Sequence, residues 1–230
     1  MALMATKTQR TERRADALSK ARIVEAAIEI LDTTGESALT FRVLAARLAT
    51  GSGAIYWHVA NKNDLLAATT DDVIARVMTD VIGGSAPGEA IRGIALGLFD
   101  AIDAHPWVGA QLSREPWQSA MLQIFESVGE QVQALGVAEP EQFNAASALV
   151  NYILGCAGQN AANARLAPRE TDRSAVLASV AARWTKLDPA QYPFVRQVAA
   201  QLPEHDDREQ FLAGIDLILA GIEAARQAAR

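Results

Sequence analysis

The chain has little of the chemistry on which most enzymes and metalloproteins are built. A single cysteine, Cys156, cannot close an internal disulfide, and three widely separated histidines offer no metal-ligand spacing. Neither a disulfide framework nor a structural zinc is therefore expected, and no cofactor is assigned. No P-loop, G-x-S-x-G, H-E-x-x-H or paired-cysteine motif occurs, and the GSG at 51–53 is too short to cradle a phosphate, which argues against an enzyme. Long apolar runs are also missing, none approaching the roughly 18 residues that a membrane span needs. The opening MALMATKTQRTERRADALSK is polar and basic, unlike a secretory signal, so the expected setting is the cytoplasm with no membrane partner. Aromatics make up only 6% of the residues and Gly/Pro clusters are few, whereas alanine is abundant and 50% of the chain is hydrophobic. These propensities favour helices almost throughout and a core adequate for one or two domains, so the expected fold class is all-α.

Net charge is −6, which by itself argues against a nucleic-acid partner. The average conceals an asymmetry. Residues 1–62 carry nine Lys/Arg against six Asp/Glu, a net of +3, while the remainder carries twelve against twenty-one, a net of −9. A positive N-terminal quarter on an acidic body fits a DNA-facing head, although a solvated basic tail explains the charge alone equally well.

Residues 1–18 lack hydrophobic periodicity and read as a basic arm. Ser19 is placed to cap a first helix carrying Ile23, Ala26, Ala27, Ile30 and Leu31 on one face, with Gly35 as its stop. Thr40 caps a short helix bearing Phe41, Leu44, Ala45 and Leu48; ATGSG at 49–53 makes a tight turn, and AIYWHV at 54–59 a helix of under two turns. Asn61 or Asn63 opens a longer helix that ends before GGSAPG at 83–88, the best candidate boundary. Further helices are expected from about Glu89 to Ala104, around Val108 to Leu112, from Pro116 to Gly136, from Pro140 to about Ala164, near 174–186 and 190–202, and from Asp206 to Ala228. Residues 165–173 read as a loop.

The informative segment is ALTFRVLAARLATGSGAIYWHVANKNDLL at 38–66. Two short helices joined by a glycine-containing turn are the physical form of a helix-turn-helix, whose second helix can enter a major groove. With Leu44, Ala45, Leu48 and Ile55 inward, the second helix leaves Ser52, Ala54, Tyr56, Trp57 and His58 outward. An aromatic pair without context reads as core packing, and a lone histidine as a surface or satisfied one. Placed on the outer face of this motif, the aromatics suit phosphate hydrogen bonding and contact with sugars or thymine methyls.

Here the sequence resembles the TetR family of repressors. YWHVANKNDLL is similar to the end of the family's recognition helix and the start of its fourth helix, and LTFRVLAARL to its second helix. The resemblance is strongest over 19–66 and continues more weakly through LGCAGQ at 154–159 and GIDLILAGIE at 214–223, which look like dimerisation helices. It implies a basic arm (1–18), a three-helix DNA-binding head (19–66), a connecting helix (67–82) and a ligand-binding and dimerisation domain (89–230). The implied function is a transcriptional repressor that binds a palindromic double-stranded operator as a homodimer and is released by a small-molecule effector. By position, Arg42 would reach a base edge or phosphate, Thr40 would bond a phosphate while capping its helix, and Ser52, Gly53 and Ala54 would start the base-reading surface. Tyr56, Trp57 and His58 would contact backbone and bases, and Lys62 would neutralise a phosphate. Gly51, Ser52 and Gly53 are smaller than many members carry there, which shifts weight from direct base contacts to shape readout. A helical interaction module that does not bind DNA is the rival reading.

For the C-terminal body, small residues at Ala145, Ala148, Gly155, Ala157 and Gly158, with an apolar stripe of Phe211, Ile215, Ile218, Leu219 and Ile222, suit a four-helix bundle between two subunits; filling of the monomer core is the alternative. The candidate ligand set is Phe99, His105, Trp107, Trp117, Met121, Phe125, Asn151, Tyr152 and Gln159, apolar with a few polar groups for orientation; the polar ones on 140–164 read equally as buried structural amides. His105 aligns with the metal-binding histidine of tetracycline repressors, but Gln159 stands where their carboxylate would be and Met78 replaces their ligand-contacting histidine. The resemblance therefore points to a largely hydrophobic effector rather than magnesium-tetracycline.

Overall fold

A computed structural model describes residues 18–81, 86–114, 118–166 and 173–228. Residues 1–17 of the expected arm at 1–18, part of the glycine-rich stretch, Pro116, Trp117 and most of the expected loop at 165–173 lie outside them. Among the described residues the regular structure is helical, without a strand, and no helix is long and apolar enough to cross a membrane. The chain divides into two compact units, Met1–Asp80 with Ala104–Ile124, and Val81–Asp103 with Phe125–Arg230.

The first unit begins with α1 (Lys20–Thr34), whose N-cap Ser19 accepts the Arg22 N–H at 3.3 Å and which buries Ile23, Val24, Ala26, Ala27, Ile28, Ile30 and Leu31. Gly35, at φ 82°, ends it by returning its N–H to the Leu31 carbonyl. A 3₁₀ turn (Glu36–Ala38) leads to α2 (Phe41–Arg47), capped by Thr40 Oγ1 on the Val43 N–H at 3.2 Å. The left-handed position of the following turn falls on Ala49 at φ 50°, not on a glycine; Gly51 sits at φ −88° as the N-cap of α3 (Ser52–Tyr56). The second short helix thus starts two residues before the expected 54–59 span and ends three before its end. The reason lies at Ile55, whose carbonyl takes both the His58 and Val59 N–H groups and turns the chain there. Asn61 caps α4 (Lys62–Val81), its Oδ1 accepting from the Asp64 N–H at 2.9 Å while its amide donates to the Asp64 carboxylate.

The same unit takes in α6 (Pro106–Arg114) and the first turns of α7 (Ser119–Ala134). Trp107 is buried and its indole N–H donates to Asp32 Oδ1 at 2.7 Å, with His105 Nδ1 at 2.8 Å from the same oxygen. Arg114 forks onto the Glu36 carboxylate at 3.1 and 2.7 Å.

The second unit contains α5 (Pro87–Ala104) up to Asp103, the rest of α7, α8 (Glu139–Leu166), α9 (Arg173–Trp184), α10 (Pro193–Val198) and α11 (Asp207–Ala228). The expected helix over 190–202 is broken: α10 begins at Pro193, gives way at Ala199 to a 3₁₀ turn and carries Pro203 inside that turn, where a proline cannot continue an α-helix. The core gathers Ile91, Ile94, Leu98 and Phe99 of α5, Val128 and Val132 of α7, Leu149, Val150 and Ile153 of α8, and Phe211 and Ile215 of α11. On α11 the apolar stripe is buried only at Phe211 and Ile215; Ile218, Leu219 and Ile222 are half-buried, and Leu217 is 75% exposed.

Candidate functional site

The side chains that the sequence singled out on α2 and α3 share the surface of the first unit. Leu44, Ala45 and Ile55 are buried and hold the two helices together, Leu48 is half-buried, and the α3 side chains on the opposite face are left to solvent. Trp57 is 89% exposed and Tyr56 54%, and His58 and Arg42 are exposed. The exposed Trp57 is not explained by packing within this unit. Gly53 is exposed, Ser52 and Ala54 are half-buried, and Thr40 is exposed with its hydroxyl oxygen engaged by the Val43 N–H. Arg42 has no hydrogen-bond or ion-pair partner among the described residues, whereas Arg47, on the same helix, is committed to Glu29.

Lys62 is half-buried at the start of α4, and its Nζ donates to the Glu36 carbonyl at 2.7 Å. One of its three protons is thus spent inside the protein, leaving two for an external acceptor. Glu36 is itself held by Arg114, whose hydrogen bonds lower the carboxyl pKa below the ordinary value of 4.5 against a smaller opposing effect of burial. A depressed carboxylate pKa contributes stability that is complete above that ordinary value and is lost as pH falls through the folded-state pKa. Arg114 is about half exposed, at 53%, so solvent screening leaves the pair roughly 0.5 kcal/mol. Thermal melts between pH 7 and pH 3 should show the native chain losing about one or two degrees more than Glu36→Gln over the acid range; coincident profiles would mean that the fork stabilises nothing.

The candidate ligand residues fall in both units. His105, Trp107 and Met121 belong to the first unit, and the polar atoms of the first two face Asp32. Phe99, Phe125, Asn151, Tyr152 and Gln159 belong to the second unit, and Trp117 lies outside the described residues. Phe99 is buried against Phe211, with ring centroids 4.8 Å apart, and Phe125 meets Phe143 at 5.9 Å. Asn151 and Gln159 are exposed on α8 in the single chain. The Tyr152 hydroxyl donates to the Phe211 carbonyl at 3.2 Å; burial, then its hydrogen bond with Cys156, pushes its pKa up to about 12. Among the described residues no group of three or more His, Cys, Asp or Glu side chains is placed to hold a metal.

Sequence reasoning missed Asp32, Glu36 and Arg114 as the polar ties of the first unit, and Phe41 as the partner of Tyr56. Phe41 carried a signal, a large aromatic in the first turn of a two-turn helix, but helical periodicity alone assigned it to the inward face.

Comparison with known proteins gives a family model for the bacterial regulatory proteins of the tetR family over residues 23–69, and one for the tetracyclin repressor-like C-terminal domain over 88–226. A TetR transcriptional regulator of known structure from Streptomyces coelicolor is 54% identical, with a TM-score of 0.84, covering 90% of this chain and 99% of its own. An HTH-type transcriptional regulator of Saccharopolyspora erythraea is 32% identical over 139 residues, 60% of this chain and 59% of that protein, so less than two thirds of that relative is spanned. The HTH-type transcriptional repressor DrrR1 of Streptomyces coeruleorubidus is 28% identical over 215 residues, 88% of this chain and 76% of its own.

Proposed function

The chain belongs to the TetR family of transcriptional regulators, and from that premise we propose that it represses transcription as a homodimer on a palindromic operator, from which a small, largely hydrophobic effector releases it. The observation that carries the DNA-binding part is the outward surface of α3 and its C-cap: Tyr56, Trp57 and His58 are all exposed, beside an exposed Arg42 on α2 that no described residue pairs. Aromatic edges and a guanidinium are what a groove with flanking phosphates accepts. Self-association is supported by apolar side chains left uncovered in one chain, Leu217 on α11 at 75% exposure and Phe143 on α8 at 69%.

A dimer places two recognition helices in successive major grooves only when their separation matches one helical turn of DNA, about 34–36 Å. An effector that favours another separation forfeits one of the two insertions, and affinity falls. Linkage requires that operator weaken effector binding by the same factor.

The test is a mobility shift with the chain's own upstream DNA at low salt. Specific retention is expected, with affinity falling as salt rises at a log–log slope of about −4 from Arg42 and Lys62 of both subunits. Absence of retention, or a slope near zero, would favour an interaction module instead. Once a thermal-shift screen of apolar compounds yields an effector, its affinity should fall in the presence of operator; an unchanged value refutes the release mechanism.

A further inference from the structure

The ring of Tyr56 does not lie free on α3. It stacks nearly parallel on Phe41, with centroids 4.5 Å apart and planes 13° from one another. The partners come from different helices: Phe41 is the first residue of α2, directly after the Thr40 cap, and Tyr56 is the last residue of α3. A helix of five residues that lacks a side-chain cap and passes at once into the turn at Trp57 does little to hold a long exposed side chain in one orientation. A flat neighbour does, because two aromatic faces in contact restrict each other's rotation and tilt. Phe41 is half-buried and Tyr56 is 54% exposed, so the stack has one rooted ring and one presented ring.

We infer that Phe41 is a positioning residue for DNA recognition: by covering one face of the Tyr56 ring it aims the phenolic hydroxyl so that it donates a hydrogen bond to a phosphate oxygen of the duplex. The inference rests on the operator-binding reading and adds to it a residue that touches no DNA itself. Pre-ordering the ring removes rotamer freedom that would otherwise be lost on binding, so the gain appears as affinity. A phenol is neutral, and a contact through it releases no counterion, so losing it leaves the salt dependence unchanged. That separates it from contacts made by Arg42 and Lys62.

Leucine and methionine keep apolar bulk at position 41 but offer no flat face, which makes Phe41→Leu and Phe41→Met two independent probes with folding checked by circular dichroism. Dissociation constants are measured by fluorescence anisotropy on a duplex that the native chain selects from a randomised pool. Both variants should weaken binding roughly three- to tenfold at unchanged salt slope, and Phe41→Tyr or Phe41→Trp should restore it to within about twofold. In a Tyr56→Phe background, Phe41→Leu should make no further difference. Equal losses in the two backgrounds, or unaltered affinity of Phe41→Leu, would overturn the inference while leaving operator binding in place. Failure of the native chain to select any duplex would overturn both.

Discussion

Trp57→Ala is expected to lower operator affinity by about 2–4 kcal/mol per dimer, roughly 30- to 1000-fold, with folding and self-association unchanged. At 89% exposure the indole contributes almost nothing to the unit that carries it, so its removal should move the melting temperature by no more than about a degree. A tryptophan offers on the order of 200 Å² of contact surface at the entropic cost of two side-chain torsions. Covering half of that against sugars and base edges at about 25 cal/mol per Å² yields roughly 2 kcal/mol before ordering costs, and the twofold axis of the proposed homodimer counts it twice. Arg42→Ala serves as the contrast. It removes a cation from each subunit and should flatten the log–log salt slope by about 2, whereas Trp57→Ala should leave the slope alone. Sedimentation and melting curves decide whether a loss is specific. Unchanged affinity of a well-folded Trp57→Ala dimer would place the DNA surface elsewhere.

Local punctuation was well written in the sequence. Ser19, Gly35 and Thr40 act at the helix ends where their capping chemistry placed them, and Asn61 is the one of the two asparagines offered that caps its helix, because each needs only a backbone group three or four residues away. Other local details were not: nothing near Ala49 announces a left-handed residue, and the early end of α3 follows from two N–H groups competing for the Ile55 carbonyl, which residue types do not reveal. Contacts between distant residues were hidden as well: the ties of α6, Trp107 to Asp32 and Arg114 to Glu36, join residues more than seventy positions apart, and no periodicity reports such a pair. The outward aromatics were legible because an exposed face that ought to be polar and is not stands out against the helical pattern. The partner that orients one of them was not, since Phe41 sits where an inward residue also belongs.

Gly214→Ala is expected to destabilise the second unit by about 2–3 kcal/mol, lowering the melting temperature by roughly 5–10 °C. A Cβ at Gly214 would lie 1.9 Å from the Tyr152 hydroxyl oxygen and 2.2 Å from its Cζ, far inside any contact that atoms tolerate. The glycine has no unusual backbone angle to supply; its use is to let α11 approach the Tyr152 ring on α8. That ring is fixed on three counts: it stacks on Phe211 at 5.7 Å and 9°, its hydroxyl bonds the Phe211 carbonyl at 3.2 Å, and Phe211, buried to 2%, packs in turn on Phe99. An added methyl group therefore either separates α11 from α8 or expels the tyrosine, breaking the stack and the hydroxyl's hydrogen bond to the Phe211 carbonyl. Tyr152→Phe, which keeps the stack and loses only the hydrogen bond, should cost about 1 kcal/mol. The double substitution isolates the clash: once Tyr152→Ala has vacated the space, Gly214→Ala should cost less than about 1 kcal/mol, because the methyl group then meets no ring. If Gly214→Ala cost as much in the Tyr152→Ala background as in the native chain, the close approach of the two helices would not be what the glycine provides.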